Sequence, residues 1–245
     1  MTLKILLWDV EMAPAVAHVW GVFDQNIGIN QVQEQPYMLS FAARWYGSKK
    51  IIFRSTFHDG REQMVKDLWA LIDEADALIS WNGKGFDTKH ANREFVEYGL
   101  TPPSPVKEID LMLTARSQFR FLSNKLDYVA QLLGIGKKKS TGGHELWVAC
   151  MNNDPKAWAI MKRYNVQDVN LLVEIYEKLL PWITNHPNVN LYEPGNGCPS
   201  CGSEDLQKRG LARTGVSSYQ RYVCNNCGKW CKSGKALQRA DLRQL

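Results

Sequence analysis

Three short segments carry acidic side chains at spacings that suit chemistry on a bound cation. The first is Asp9-Val-Glu11, which follows the apolar run Lys4 to Trp8. Residues two apart in a strand point to the same side, so these carboxylates repel each other unless a cation lies between them. Carboxylate oxygens are the ligands that Mg²⁺ prefers. A solvated strand end explains the pair equally well.

Two further acids, like the first pair, are explained either by a shared site or by a purely structural role. Asp87 follows Asn82-x3-Phe86 at the start of an expected helix, and Asp168 follows Tyr164 by four residues in the last long helix. Positions i and i+4 share a helix face, so the phenol and the carboxylate would converge on one site. Taken alone, Asp87 would complement the dipole of its helix, and Asp168 would be a surface acid beside a half-buried tyrosine.

Hydrophobic patterns predict the elements that must position these residues. Strands are expected at 4–8, 37–46, 51–57, 77–81 and 109–111, and helices at 61–75, 86–98, 114–133 with a break near Ser123, and 154–180. Residues 51–57 would form a hairpin with the strand before them. Residues 134–143, which include Lys137, Lys138 and Lys139, predict a mobile basic loop. Strands that later alternate with helices indicate a mixed α/β sheet.

The order of the three acidic segments resembles the DEDD superfamily of 3′→5′ exonucleases, in the subgroup whose third motif carries a tyrosine. The sequence is most similar to the proofreading exonuclease domains of family-B DNA polymerases and their stand-alone bacterial and phage relatives. The resemblance spans about residues 1–180 and includes the segment Lys125 to Ala130. It implies an RNase H-like fold, in which helices flank a mixed sheet.

The same resemblance implies phosphodiester hydrolysis by two metal ions. The ligands of two Mg²⁺ or Mn²⁺ ions would be the four acids, Asp9, Glu11, Asp87 and Asp168. Tyr164 would orient the attacking water and accept a proton only in concert with a metal-bound water, because a free phenol is a poor base at neutral pH. Asn82 and Phe86 would line the pocket of the terminal nucleotide.

One further acid and one aromatic segment lie near these motifs in the sequence. Asp110 is also a strand-end acid, but its position resembles that of a structural acid in the superfamily. The segment His18 to Pro36 departs from a minimal exonuclease pattern and contains no evident tight hairpin. Trp20 or Phe23 would stack on a nucleic-acid base from a loop beside the substrate, or both would fold back on the core.

Five of the six cysteines lie near the C-terminus, and four of them form two Cys-x2-Cys-Gly pairs. The pairs suit tetrahedral Zn²⁺, and their four thiolates are those of Cys198, Cys201, Cys224 and Cys227. A turn at Thr214-Gly215 and an alternating strand at 218–223 separate the pairs, an arrangement that resembles a zinc ribbon. The metal would supply folding free energy to a module with little core. Cys231 would be a free thiol.

The net charge of the chain is +5, and it is unevenly distributed. Nine lysines and arginines and three acids lie between Gly195 and the end, so this region carries about +6 and the rest is close to neutral. A basic module favours a polyanionic partner such as nucleic acid. The candidate substrate-binding residues of the ribbon are Arg213, Arg221, Tyr222 and Trp230. Alternatively, the ribbon would be structural and pack against the body or a partner protein.

These observations predict an RNase H-like exonuclease domain at 1–183, a Pro-rich linker at 184–196 and a zinc ribbon with a basic tail at 197–245. No apolar run is long enough for a membrane span, and the N-terminus does not have the features of a signal peptide. Clustered cysteine pairs without a secretion signal suggest metal binding in a reducing compartment. We therefore expect a cytoplasmic enzyme, or a phage protein acting in the host cytoplasm.

The sequence thus predicts a two-metal 3′→5′ exonuclease that acts on single-stranded or frayed 3′ ends, with DNA as the favoured substrate. Its partners would be nucleic acid and a replication or repair protein. Three alternatives stay open. The same acids would serve a structure-specific endonuclease or an RNase, and the chain could also be a non-catalytic nucleic-acid-binding adaptor.

Overall fold

The computed structural model describes residues 2–138 and 142–243. These residues form two compact units. The larger unit is Lys4–Ile175, and the smaller one begins at Tyr176, holds the C-terminal strands and includes the N-terminal residues up to Leu3. The domain limits expected from the sequence, 1–183, 184–196 and 197–245, stay a prediction.

The larger unit is built on a mixed five-stranded sheet in the order β5-β4-β1-β6-β7. Strands β1, β4 and β5 are antiparallel, whereas β6 and β7 run parallel to β1. A separate short pair is formed by β2 and β3. The strands of this unit are β1 (Ile5–Met12), β2 (Val16–Ala17), β3 (Val32–Glu34), β4 (Met38–Trp45), β5 (Ile51–Ser55), β6 (Ala77–Ser80) and β7 (Lys107–Asp110).

Helices flank this sheet, and the last of them is the longest. They are α1 (Thr56–Asp59), α2 (Arg61–Glu74), α3 (Asp87–Glu97), α4 (Leu111–Gln118), α5 (Leu126–Leu132), α6 (His144–Met151) and α7 (Pro155–Leu179). Within the described residues, no helix is both long enough and apolar enough to cross a membrane.

The alternation of β1 decides where the acidic pair lies. Leu6, Trp8 and Val10 belong to a buried cluster that also contains residues of α2 and α3. Because successive side chains of a strand point to opposite faces, Asp9 and Glu11 lie on the other face of the sheet. The central position of β1 therefore fixes two carboxylates on a sheet face that α7 can reach.

Helix α7 begins as the sequence predicts. Pro155 occupies its first position, where a missing N–H costs nothing, and the Asp154 carboxylate accepts a hydrogen bond from the backbone N–H of Lys156 at 2.8 Å. Two turns of α7 pack in a buried cluster with α6 and β4, through Trp158, Met161 and Leu39. This packing holds the helix face that carries Tyr164 and Asp168.

The mixed sheet with flanking helices confirms the expected fold class, and differences are local. The helical stretch expected at 114–133 is divided into α4 and α5, with the predicted break near Ser123 between them, and α4 begins earlier than expected, at Leu111. The segment around 18–36, for which no hairpin was evident, is framed by the β2–β3 pair. Its aromatic side chains do not fold back on the core, since Trp20 is 98% exposed and Phe23 83% exposed.

The smaller unit contains a four-stranded antiparallel sheet centred on β9. Its strands are β8 (Leu206–Arg213), β9 (Ser217–Cys224), β10 (Trp230–Lys232) and β11 (Gln238–Arg239). This sheet is tied to the chain that follows α7, because the Lys229 ammonium donates to the carbonyl oxygens of Pro181 at 3.1 Å and Ile183 at 2.6 Å. The end of α7 therefore belongs to the same compact unit as the cysteines.

Candidate active site and cysteine cluster

Three carboxylates converge beside the end of β1. Ligand oxygens of Asp9, Glu11 and Asp168 lie within 4.8 Å of one another. Asp9 and Glu11 come from one face of the central strand. Asp168 comes from α7 and lies 157 residues after Glu11. The Asp168 side chain is only 2% exposed. The fold therefore brings three of the four predicted acids together in one small volume.

Asp87 lies next to this group but outside it. Its side chain is buried, and its Oδ1 accepts a hydrogen bond from the backbone N–H of Val10 at 3.1 Å. That bond attaches the start of α3 to β1 between the two β1 acids. The charge of Asp87 also raises the pKa of Asp9, and only burial raises it more. The fourth acid is thus coupled to the cluster through both backbone and charge.

A tight turn after β6 places Asp87. Asn82 has a left-handed backbone with φ of 69°, and its N–H donates to the Asp110 carboxylate at 3.0 Å. A Cβ at Gly83 would lie 2.0 Å from the Ser80 hydroxyl oxygen, so this position accepts only glycine without a rearrangement. Phe86 precedes α3 and is 42% exposed, with its ring 4.5 Å from that of His90. Whether Asn82 and Phe86 line a nucleotide pocket stays a prediction.

Asp110 has the structural role that was expected of it. Its Oδ1 accepts hydrogen bonds from the backbone N–H groups of Met112 at 3.0 Å and Leu113 at 3.2 Å, which makes it the N-cap of α4.

Lys138 is a site residue that the sequence did not single out. Its ammonium lies 2.5 Å from Asp168 Oδ2 and donates to the Tyr164 hydroxyl at 3.2 Å. The backbone N–H of Lys138 donates to Asp127 Oδ1 at 2.6 Å, which holds this residue near the first turn of α5. Lys138 therefore makes defined contacts in the site, whereas the mobility of the loop stays a prediction, and Lys139 lies outside the described residues.

Two more polar side chains support the acids. The fully buried Asn165 donates from Nδ2 to Asp9 Oδ2 at 2.8 Å, and its Oδ1 accepts from the Ser40 hydroxyl at 3.3 Å. Trp147, on α6, hydrogen-bonds to Glu11, and this bond offsets part of the rise in the Glu11 pKa. Its ring meets that of Tyr164 edge-on at 6.0 Å. Neither residue was predicted from the sequence, and the only available clue was the position of Asn165 directly after Tyr164.

The electrostatics of the site oppose full ionisation of the acids. Burial, together with the charge of Asp168, raises the pKa of Glu11 to about 8. Burial raises the pKa of Asp87 to about 6. The pKa values of Asp9 and Asp168 are raised as well, mainly by burial. Burial and the neighbouring Asp168 raise the pKa of the Tyr164 phenol to about 12, so it is a neutral hydroxyl at physiological pH.

These features fit bound divalent cations. Hard carboxylate oxygens converge, and their mutual repulsion is what a cation would relieve. Asp168 Oδ1 is buried and accepts no hydrogen bond from the described residues. The Lys138 ammonium offsets part of the negative charge at Oδ2 of the same carboxylate. The site thus has a buried acceptor oxygen that suits a metal ligand.

The four cysteines of the two Cys-x2-Cys-Gly pairs form one cluster, and their sulfur atoms lie within 4.8 Å of one another. Sulfur atoms from opposite pairs are 3.6 Å apart, both in Cys198–Cys227 and in Cys201–Cys224. Tetrahedral Zn²⁺ with Zn–S bonds of about 2.3 Å requires sulfur separations of roughly 3.8 Å, so the cluster fits zinc. The cluster fits a zinc ribbon.

Glycine closes both cysteine turns as expected. Gly202 and Gly228 follow the second cysteine of each pair, and both have left-handed backbones, with φ of 75° and 79°. Such φ values strain any residue with a Cβ. Cys231 is not a member of the cluster among the described residues, in agreement with its interpretation as a free thiol.

The ribbon residues predicted to bind substrate do not share one surface. Trp230 pairs with Val223, so its side chain lies on the same face of the sheet as that of Arg221. Tyr222 and Arg213 lie at the alternating positions, whose side chains are on the other face. The Arg221 guanidinium lies 5.0 Å from the centre of the Trp230 ring. The four residues thus divide into two pairs on opposite faces.

The fold and the converging acids define an RNase H-like nuclease fold. The model of the RNase H superfamily matches residues 27–180, and the chain belongs to that superfamily. Its structure is similar to that of the family B DNA polymerase from the hyperthermophilic archaeon Pyrobaculum calidifontis, with a TM-score of 0.54 at 18% identity. The similarity covers 73% of this chain and only 25% of the polymerase chain. No curated protein matches the sequence.

Proposed function

We propose that this protein is a metal-dependent 3′→5′ exonuclease, with DNA as the favoured substrate. The observation that carries the proposal is the convergence of the Asp9, Glu11 and Asp168 carboxylates beside the Tyr164 hydroxyl. The motif order and the likeness to a family B DNA polymerase support a 3′→5′ direction. The proposed domain limits are those expected from the sequence, with a zinc-bound ribbon that contributes to substrate binding.

The residues that would hold two Mg²⁺ or Mn²⁺ ions are Asp9, Glu11, Asp87 and Asp168. When bound, such ions lower the pKa of a coordinated water and neutralise charge on a phosphate. The chain's own task is to keep these carboxylates oriented. Asn165 does this for Asp9 by donating to one of its oxygens, and the N–H of Val10 does it for Asp87.

Tyr164 would position the water that attacks the phosphate. Its phenol is neutral, so it cannot act as a strong base at physiological pH. The Lys138 ammonium donates to the Tyr164 oxygen and thereby leaves the phenolic hydrogen directed to a further acceptor. Lys138 would also bring positive charge to the place where negative charge develops in the transition state. Asn82 and Phe86 would contact the terminal nucleotide, with the half-exposed Phe86 ring offering a stacking surface.

A degradation panel tests the proposal. Single- and double-stranded DNA and RNA, labelled at the 3′ or the 5′ end, are incubated with and without Mg²⁺ or Mn²⁺. We expect a metal-dependent ladder from 5′-labelled DNA, early release of the label from 3′-labelled DNA, and no activity in Asp168→Asn. Cleavage of circular single-stranded DNA would instead identify an endonuclease. A preference for RNA would identify an RNase, and inactivity even with Mn²⁺ would support a non-catalytic adaptor.

A further inference from the structure

One face of the ribbon sheet combines cations and aromatic rings in a regular order. Direct pairing places Trp230 opposite Val223 and Lys232 opposite Arg221, so their side chains lie on the same face of the sheet. Tyr219 has the same alternation as Arg221 along β9. We call this surface, made by Tyr219, Arg221, Trp230 and Lys232, the cation–aromatic face.

Each cation on this face lies over a neighbouring ring. The Arg221 guanidinium is 5.0 Å from the centre of Trp230, and the Lys232 ammonium is 4.2 Å from the centre of Tyr219. The Nε–H of Arg221 also donates to the carbonyl oxygen of Arg209 at 2.8 Å. These contacts hold the charged groups in fixed places, which reduces the entropy lost when a ligand binds.

The face is accessible and positively charged. Trp230 is 52% exposed, and Arg221 and Lys232 are both exposed. Arg239 pairs with Ser217 and so adds a third cation on the same side of the sheet. None of the four ribbon strands contains an acidic residue. A protein partner would have to be acidic there, whereas single-stranded nucleic acid offers both phosphates for the cations and bases for the rings.

We propose that the cation–aromatic face binds single-stranded nucleic acid, with Arg221 and Lys232 on phosphates and a base stacked at Trp230. This inference deepens the proposed function and rests on its nucleic-acid substrate, since it names the surface that holds the strand. It also revises the sequence prediction, because Arg213 and Tyr222 lie on the opposite face and would take no part in this contact.

The test uses the full chain with an Asp9→Asn substitution, so that no hydrolysis disturbs the measurement whatever the reaction is. Binding of a fluorescent oligothymidylate and of an oligouridylate is followed by anisotropy at several salt concentrations. Removing both cations, by Arg221→Gln with Lys232→Gln, should reduce the slope of log affinity against log salt by about 1.4. Trp230→Ala should weaken binding by about tenfold, with Trp230→Phe closer to the parent.

The opposite face supplies a charge-matched control. Lys208→Gln with Arg213→Gln removes the same number of cations from the alternate register positions of the same sheet. We expect this variant to keep the parent salt slope, and all variants to keep one zinc per chain, which reports on the ribbon fold. Equal losses from both faces, or no loss from the cation–aromatic face, would overturn the proposal. Binding of an acidic peptide by that face, with no oligonucleotide binding, would also overturn it.

The experiment separates this inference from the proposed nuclease activity. If the degradation panel is negative but the face variants lose oligonucleotide binding, the face proposal stands and the exonuclease proposal fails. If the panel is positive and the face variants bind normally, only the face proposal fails.

Discussion

The side-chain amide of Asn165 donates to Asp9 Oδ2 at 2.8 Å from a fully buried position. The same amide nitrogen lies 3.3 Å from the backbone carbonyl oxygen of Asp9, and the Asn165 oxygen accepts from Ser40. Asn165 therefore joins α7 to both β1 and β4. It occupies one oxygen of Asp9 and directs the rest of that carboxylate to the other acids.

Asn165→Ala should lower kcat by about 10- to 100-fold with little change in KM, because Asp9 loses its orientation but the substrate surface is kept. Losing a buried hydrogen bond to a carboxylate should also cost about 1–3 kcal/mol of unfolding free energy. Michaelis kinetics on a labelled oligonucleotide and urea unfolding measure the two effects. Ser40→Ala is the control, since it removes the partner of Asn165 but leaves the bond to Asp9. Wild-type kcat in Asn165→Ala would contradict a positioning role.

Lys138 and Tyr164 should act as a unit. Lys138→Ala removes the donor to the phenol and the cation beside Asp168, so kcat should fall by about 10- to 100-fold. Tyr164→Phe removes the hydroxyl that Lys138 holds. Because each substitution breaks the same contact, the double variant should be impaired much less than the product of the single effects. Strictly multiplicative losses in this double-mutant cycle would show that the two residues act independently.

The patterns that predicted the fold are those in which local sequence and tertiary environment agree. The alternation of β1 and the i, i+4 spacing of Tyr164 and Asp168 follow from the period of each element. Gly83 and Gly202 stand where a turn leaves no room, or no conformational freedom, for a side chain. Such features are visible in a sequence because the constraint lies within a few residues.

Lys138 could not be placed in this way. Its contact with Asp168, which lies 30 residues later on α7, depends on a chain segment held by Asp127, which lies 11 residues earlier. No periodicity links these three residues. The division of the ribbon residues between two faces was equally hidden, because it depends on the pairing of β10 with β9 and on a bulge in β8 between Lys208 and Leu211.

Metal affinity should rise as the pH increases from about 6 through about 8. The pKa of Glu11 is about 8 and that of Asp87 about 6, so at pH 6 a metal ion must displace bound protons before it gains these ligands. At pH 8 about half of Glu11 still carries its proton, so the competition fades only as the pH rises further. Calorimetric titration with Mn²⁺ in buffers of different ionisation enthalpy measures the protons released. An apparent affinity that is the same at pH 6 and pH 8, with no proton release, would show that these carboxyls are already ionised.

Glu11→Gln should stabilise the metal-free protein at high pH while removing activity. The folded state raises the pKa of Glu11 above the ordinary value of 4.5, so it binds this proton more tightly than the unfolded chain does. Glu11 consequently causes the wild type to lose stability as the pH rises from about 4.5 through about 8, and the amide variant lacks this part of the loss. At pH 9 we expect the Tm of Glu11→Gln to exceed that of the wild type by several degrees. At pH 4 the difference should vanish, and a constant difference at both values would exclude a protonation effect.

Zinc should be required for the ribbon through four cysteines and not through the fifth. Cys227→Ser removes one ligand of the four-cysteine cluster, so the bound metal should fall from one ion per chain to a small fraction. The loss should abolish the cation–aromatic face as well, because β10 begins three residues after Cys227 and has only three residues of its own.

Cys231→Ser is the matched control: it lies on β10 itself, yet its sulfur is not in the cluster, and zinc content should be unchanged. Atomic absorption on both variants, with oligonucleotide binding measured in parallel, tests the assignment. Equal zinc loss in the two variants would mean that Cys231 takes part in binding the metal.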